Sequence, residues 1–200
     1  MPQPTIDIPY LRGPVPLVHL LVRQFVRCGD QVVDATCGNG KDTLLLAELV
    51  GNSGHVWAFD IQTEALARTR QRLLEAGLAD RVTLLDQSHE TLANQVPLPV
   101  TAIVFNLGWL PGGDRNVVTE QTSTLQALHA SLELLLAGGL LLITCYPGHR
   151  QGAVETDAVL HWSSGLDARR FHVWRMGQQN VGSNAPFCLL IQKTAQHHAG

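Results

Sequence analysis

The sequence is poor in cysteine, and its cysteines form no motif. Four are present, at Cys28, Cys37, Cys145 and Cys188, and no C-x-x-C pair occurs among them. This spacing argues against a zinc site or a disulfide framework, so we expect reduced thiols and no metal. The nine histidines are equally dispersed, without an H-x-x-x-H pair.

Long uninterrupted apolar runs are also absent. The stretch LELLLAGGLLLITCY is broken by Glu133 and a glycine pair, so no membrane span is expected. The start, MPQPTIDIPYLRGP, lacks a basic segment followed by an apolar core, so we expect no export signal and a cytoplasmic protein. A formal net charge of -3 gives no indication of a nucleic-acid partner, and a basic surface would have to be local.

Apolar runs of strand length alternate with segments of helical period, which is typical of an α/β protein with helices on both faces of a mostly parallel sheet. The first helix is expected over Val15–Arg27 and others over Thr63–Ala76 and Gly152–Ser164, with a leucine-rich helix that Gly138 ends. We expect one domain over residues 1–200, with an N-terminal extension at 1–13 and a frayed tail at 195–200. The seven predicted strands are QVVDAT, HVWAFDI, VTLLD, AIVFNL, GLLLITCYP and a late hairpin-like pair that supplies an antiparallel edge strand, FHVWRM and PFCLLIQKT.

A glycine-containing loop follows the first strand, in the stretch VVDATCGNGKDT. Asp34, Gly38 and Gly40 form an Asp-x-x-x-Gly-x-Gly pattern, whereas the dinucleotide pattern G-x-G-x-x-G would place glycine where Thr43 stands. Asp60 closes the second strand, where a carboxylate can accept hydrogen bonds from two ribose hydroxyls, a role that NAD enzymes share. The loop resembles the first motif of class I S-adenosylmethionine-dependent methyltransferases, which implies that cofactor and a Rossmann-like fold.

The third strand ends in LLDQSHE. Asp86 or the Gln87–Ser88 turn would lie near the adenine of such a cofactor, and Asp86 is as readily a helix cap.

Strand four leads into FNLGWLPGGD. Its Asn106–Trp109 stretch resembles the Asn/Asp-Pro-Pro-aromatic motif with which amino-methylating enzymes hold a target nitrogen. Such an enzyme must orient the nitrogen and accept hydrogen bonds from it while leaving its lone pair free. Asn106 can supply the acceptor and Trp109 a stacking face. The alternative is that Asn106 caps a turn and Trp109 belongs to the core.

Several motifs together resemble a narrower family. DATCGNGKDT, FDIQ, FNLGWLPGGD, YPGH with the nearby GAVE, and QNVGSNAP occur in the order found in bacterial proteins long described as rRNA methylases. That family is similar to the tRNA 5-aminomethyl-2-thiouridine methyltransferases (MnmM/YtqB-like). The resemblance implies formation of 5-methylaminomethyl-2-thiouridine at the tRNA wobble position and binding of the anticodon stem-loop. A homodimer is compatible with the sequence.

The same resemblance implies two groups of site residues. The acceptor side would contain Asn106, Trp109, Tyr146 and His149. The cofactor would contact Asp34, Gly38, Asn39, Gly40, Asp42, Thr43, Asp60, Gln62, Ser88, His89 and Asn106.

Some roles stay open between alternatives. His149 could take a proton from the acceptor amine, or it could cap the next helix or contact phosphate. Arg150, Arg169 and Arg170 are candidates for a local basic rim, or they could solvate an ordinary surface. The competing functions are methylation of ribosomal RNA or of a small amine, a nicotinamide oxidoreductase, and a non-catalytic binding module.

Overall fold

The computed structural model describes residues 10–97, 99–108 and 119–195. The expected N-terminal extension up to residue 9 and the expected tail beyond residue 195 lie outside these ranges. The helices are α1 (Pro14–Phe25), α2 (Lys41–Val50), α3 (Thr63–Glu75), α4 (Leu92–Gln95), α5 (Gln121–Leu134) and α6 (Arg150–Ser164). The strands are β1 (Gln31–Asp34), β2 (His55–Asp60), β3 (Val82–Asp86), β4 (Val100–Asn106), β5 (Leu135–Cys145), β6 (Phe171–Gly177) and β7 (Phe187–Lys193).

All seven strands belong to one sheet, in the order β3-β2-β1-β4-β5-β7-β6. Strands β1 to β5 are parallel, and β7 runs antiparallel to both of its neighbours, β5 and β6. The α/β fold class and the antiparallel late pair are therefore confirmed. β7 is inserted between β5 and β6, so the outermost strand β6 again runs in the common direction.

Helices cover both faces of the sheet because side chains of the central strands alternate between them. Val32 and Val104 point to the face where α1, α2 and α3 pack, within a cluster that includes Val22 and Leu46. On the other face, Val33, Ile103 and Phe105 pack with residues of α4, α5 and α6. In the described ranges, none of the helices is long and apolar enough to cross a membrane.

The boundary between α5 and β5 differs from the prediction. The helix ends at Leu134 and the strand begins at Leu135, so Gly138 does not end the helix. Gly138 has a φ of 83°, and the pairing of β4 with β5 jumps from Val100↔Leu135 to Ala102↔Leu140. A continuous leucine run fits a helix and a strand equally well, so the sequence could not locate the boundary between α5 and β5. The glycines belong to an irregularity inside β5 and do not end the helix.

Candidate active site

A cleft of about 790 Å³ opens at the carboxyl ends of β1, β2, β3 and β4, where the strand order reverses between β1 and β4. Ligands of open α/β sheets bind at such a switch point. The predicted site residues that line it are Gly38, Asn39, Asp42, Asp60, Gln62, Ser88, His89, Asn106, Tyr146 and His149. Asp34, Gly40 and Thr43 do not line it, and Trp109 lies outside the described residues.

Gly40 and Gly38 shape the wall of the cleft. Gly40 is the N-cap residue of α2 and has a φ of 75°, and a Cβ there would lie 2.6 Å from the Thr69 hydroxyl of α3. Gly38 donates its N–H to Asp60 Oδ2 (2.8 Å) and accepts a hydrogen bond from Thr69 Oγ1 (3.1 Å). Only glycine combines this left-handed conformation with so close an approach to α3. The loop is thereby fixed to β2 and α3 with its backbone facing the cleft.

Asp34 is fully buried beneath this loop. Its carboxylate accepts hydrogen bonds from Thr43 Oγ1 (2.6 Å) and from the backbone N–H of Thr36 (3.2 Å). Burial, followed by the nearby Asp42 carboxylate, raises the pKa of Asp34 to about 7. The buried hydrogen bonds of Asp34 to Thr36 and Thr43 therefore hold the loop against the start of α2.

Asp60 is held in one orientation at the end of β2. Its Oδ1 accepts from the N–H of Gln62 (2.9 Å) and its Oδ2 accepts from Gly38. A carboxylate offers about four lone-pair sites, so each oxygen can take a further hydrogen bond from a ligand in the cleft. Asp86 occupies the paired position on β3, but it is exposed and accepts from Thr63 Oγ1 at the start of α3 (3.1 Å). Asp86 thus neither lines the cleft nor caps α3, since its partner is a hydroxyl and not a backbone N–H.

His89 follows β3 and is only 7% exposed. It donates to the carbonyl of Ala35, and its Nε2 is buried with no hydrogen-bond partner among the described residues. Burial lowers the pKa of His89 to about 4, so the ring is neutral at physiological pH. A neutral imidazole whose Nδ1 donates carries a lone pair on Nε2. His89 can accept one hydrogen bond from a ligand.

Asn106 is fixed through its backbone to the loop after β1 and through its side chain to the first turn of α2. Its backbone N–H donates to Thr36 Oγ1 (2.7 Å), and its Nδ2 donates to Asp42 Oδ2 (2.6 Å). A carboxylate only accepts, so the amide must face Asp42 with its NH₂ group. This arrangement leaves Oδ1 as the acceptor that Asn106 offers to the cleft.

Tyr146 and His149 follow β5. Burial, followed by the Asp42 carboxylate, raises the pKa of Tyr146 to about 12, so its phenol stays protonated. His149 precedes α6, and its Nδ1 accepts the N–H of Gly152 (3.1 Å), which is the helix-cap arrangement. That bond places the proton of a neutral His149 on Nε2. The general-base role stays a prediction, and it would require this cap to open.

Glu155 of α6 is a buried residue whose role sequence reasoning missed. Its two oxygens accept hydrogen bonds from Thr119 Oγ1 and Thr124 Oγ1, both at 2.6 Å. Thr119 in turn accepts from the N–H of Gly108 (2.9 Å). Burial raises the pKa of Glu155. The carboxyl therefore connects the residues that follow β4 to the first turn of α5. In the sequence, only the position of Glu155 within the GAVE motif pointed to this residue.

Of the two alternatives for the three arginines, a basic rim at the cleft does not apply to Arg169 and Arg170. Arg169 and Arg170 precede β6, and the residue paired with Phe171 is Lys193, at the end of β7. Because β6 runs in the same direction as β1 to β5, its start lies at the amino edge of the sheet, opposite the cleft. Arg150, at the first turn of α6, lies at the cleft end.

The fold and the cleft at its switch point are those of class I methyltransferases. Residues 56–192 match the family described as "Putative rRNA methylase", and the chain belongs to that family. A Clostridium thermocellum protein described in the same words has a crystal structure that superposes with a TM-score of 0.89 at 40% identity, over 92% of this chain and 100% of that one. A methyltransferase of Streptococcus mutans, solved in complex with SAH, superposes with a TM-score of 0.83 at 36% identity, over 92% and 99% of the two chains.

A curated relative is also similar in sequence. The chain is 38% identical over 160 residues to the chloroplastic tRNA (mnm(5)s(2)U34)-methyltransferase of Arabidopsis thaliana. The aligned region covers 75% of this chain. The chain spans 58% of the length of that relative.

Proposed function

We propose that this protein is an S-adenosylmethionine-dependent N-methyltransferase that converts 5-aminomethyl-2-thiouridine to 5-methylaminomethyl-2-thiouridine at the wobble position of tRNA. The observation that carries the proposal is the orientation of Asn106. Its NH₂ group is bound to Asp42, so a carbonyl oxygen is the group available to a nitrogen in the cleft. The family and the name of the Arabidopsis relative support the same reaction.

The cleft fits the cofactor. Its volume of about 790 Å³ lies within the range of small-molecule sites. The Asp60 carboxylate would accept hydrogen bonds from the two ribose hydroxyls, and His89 Nε2 would accept one from a donor of the adenosyl group. Asn39 and Gln62 would complete the wall near the sugar. The cofactor supplies an electrophilic methyl group and leaves as S-adenosylhomocysteine.

The acceptor side favours an amine over a ring carbon. Methylation of a uridine carbon generally requires a thiolate nucleophile, and Cys37 is the cysteine that lines the cleft. Burial, followed by the charges of Asp34 and Asp60, raises the pKa of that thiol, so it stays protonated. An amine needs no covalent catalyst. The ammonium form must first give one proton to solvent. Asn106 Oδ1 would then accept an N–H while the nitrogen lone pair forms the new N–C bond and the carbon–sulfur bond of the cofactor breaks, with the electron pair left on sulfur.

Three RNAs offered side by side test the substrate. Purified protein and labelled cofactor are incubated with tRNA that carries 5-aminomethyl-2-thiouridine, with the same tRNA as a bare transcript, and with ribosomal RNA, followed by mass spectrometry of the nucleosides. Methyl incorporation is expected in the first alone, since unmodified uridine has no basic amine. Equal incorporation into ribosomal RNA or into the bare transcript would overturn the assignment.

Cofactor binding should release a proton below pH 7. Asp34 has a pKa of about 7 in the free protein, and the cationic groups of the cofactor favour its ionised form. Affinity should therefore rise with pH, by at most about tenfold per unit, and level off about one unit above the pKa of Asp34, where this carboxyl is already ionised before binding. Calorimetry in buffers of different ionisation enthalpy measures the released proton.

The matched control for this experiment is Asp34→Asn, which can still accept the hydrogen bond of Thr43 but does not titrate. Proton release should disappear in this variant. Undiminished proton release would assign the titration to another group.

A further inference from the structure

We infer that His19 is a positioning residue, which acts through Asp42 to hold the Asn106 amide with Oδ1 toward the acceptor nitrogen. The inference rests on the proposed function. It is based on two consecutive short hydrogen bonds that connect α1, the first turn of α2 and the end of β4. His19 Nε2 donates to Asp42 Oδ1 (2.6 Å), and Asn106 Nδ2 donates to Asp42 Oδ2 (2.6 Å).

The first of these hydrogen bonds comes from α1, which packs firmly against the core. Val18 and Val22 are 2% exposed and pack against the sheet, and Val18 directly precedes His19. The side chain of Asp42 is 14% exposed and lines the cleft, and that of His19 is 31% exposed and contacts Asp42 from outside the lining. The imidazole is therefore carried by a rigid element and not by a loop.

Asp42 alone would not fix the amide as firmly. It stands in the first turn of α2, and its position there does not by itself fix the side-chain torsions. With His19 on Oδ1, the carboxylate is held from one side, and Oδ2 is the oxygen that faces Asn106. Without His19, Asp42 can turn, and Asn106 can flip to present NH₂ to the cleft. An NH₂ group would then oppose the N–H groups of the acceptor amine.

Kinetics separate this role from cofactor binding. In His19→Leu, kcat on the aminomethyl tRNA should fall by about tenfold or more, because the nucleophile is no longer aligned. The Kd for S-adenosylmethionine should rise by a much smaller factor than kcat falls, because His19 does not line the cleft. His19→Gln should recover most of kcat, since its amide NH₂ can donate to Asp42 in place of Nε2. The control is His161→Leu, an exposed histidine of α6 outside the cleft, which should behave as wild type.

Two kinetic outcomes would overturn the inference. One is an unchanged kcat in His19→Leu. The other is a rise in the cofactor Kd that matches the loss of kcat, which would make His19 part of the cofactor site.

A spectroscopic readout works without turnover and so distinguishes this inference from the proposed function. The side-chain amide protons of Asn106 should exchange with solvent more slowly in the wild-type protein and in His19→Gln than in His19→Leu. Equal exchange in all three would overturn the positioning role, whatever the substrate. Failure of the wild-type protein to methylate the aminomethyl tRNA, with the exchange difference present, would overturn the proposed function alone.

Discussion

Replacing Asn106 with alanine is expected to lower kcat on aminomethyl tRNA by on the order of a hundredfold, while the affinity for S-adenosylmethionine changes little. Asn106 Oδ1 is the acceptor that orients the amine, and the Asn106 backbone would keep its bond to Thr36 in the variant. The measurement is single-turnover methyl transfer beside calorimetric titration of the cofactor. Thermal unfolding of the variant checks that the fold is retained.

A second variant sharpens this test. Asn106→Asp keeps the shape of the side chain and its cleft-facing oxygen but replaces the NH₂ group with an oxygen beside Asp42 Oδ2. Two carboxylates at hydrogen-bond distance repel unless they share a proton. Turnover should therefore fall at neutral pH even though an acceptor oxygen is present. Full activity in Asn106→Asp, or equal losses of cofactor affinity and rate in Asn106→Ala, would contradict the role assigned to this residue.

Local patterns in the sequence were sufficient to bring the glycine-containing loop and Asp60 to the same edge of the sheet. Gly38 and Gly40 stand immediately after a buried strand and Asp60 closes the next one, so the spacing alone brings them to one edge of the sheet. The structure joins them through the hydrogen bond from Gly38 to Asp60. Such positions are predictable because the parallel strands β1 to β5 all end at the same edge of the sheet.

Contacts between distant segments were not predictable. His19 reaches Asp42 from α1, and Glu155 reaches Thr119 from α6. Nothing in the spacing of single histidines or glutamates distinguishes such a contact from a solvated side chain. The same holds for Arg169 and Arg170, whose distance from the cleft follows from the direction of β6, and that direction depends on the insertion of β7.

Asp60→Ala is expected to weaken binding of S-adenosylmethionine by about two orders of magnitude or more. Each hydrogen bond from a ribose hydroxyl to a carboxylate contributes roughly 1.5–3 kcal/mol, and the variant loses two of them. It also leaves the N–H groups of Gly38 and Gln62 without their acceptor, which loosens the loop wall. Isothermal titration calorimetry of the purified variant measures the loss directly.

The matched control is Asp86→Ala, because Asp86 pairs with Asp60 in the sheet register yet is exposed and outside the cleft. It should bind the cofactor as the wild type does. The product S-adenosylhomocysteine separates two explanations for Asp60, since it has the same ribose but lacks the sulfonium charge. If the carboxylate binds the ribose, Asp60→Ala loses affinity for both ligands by the same factor. A much larger loss for S-adenosylmethionine would mean that Asp60 acts by attracting positive charge, and the ribose assignment would be wrong.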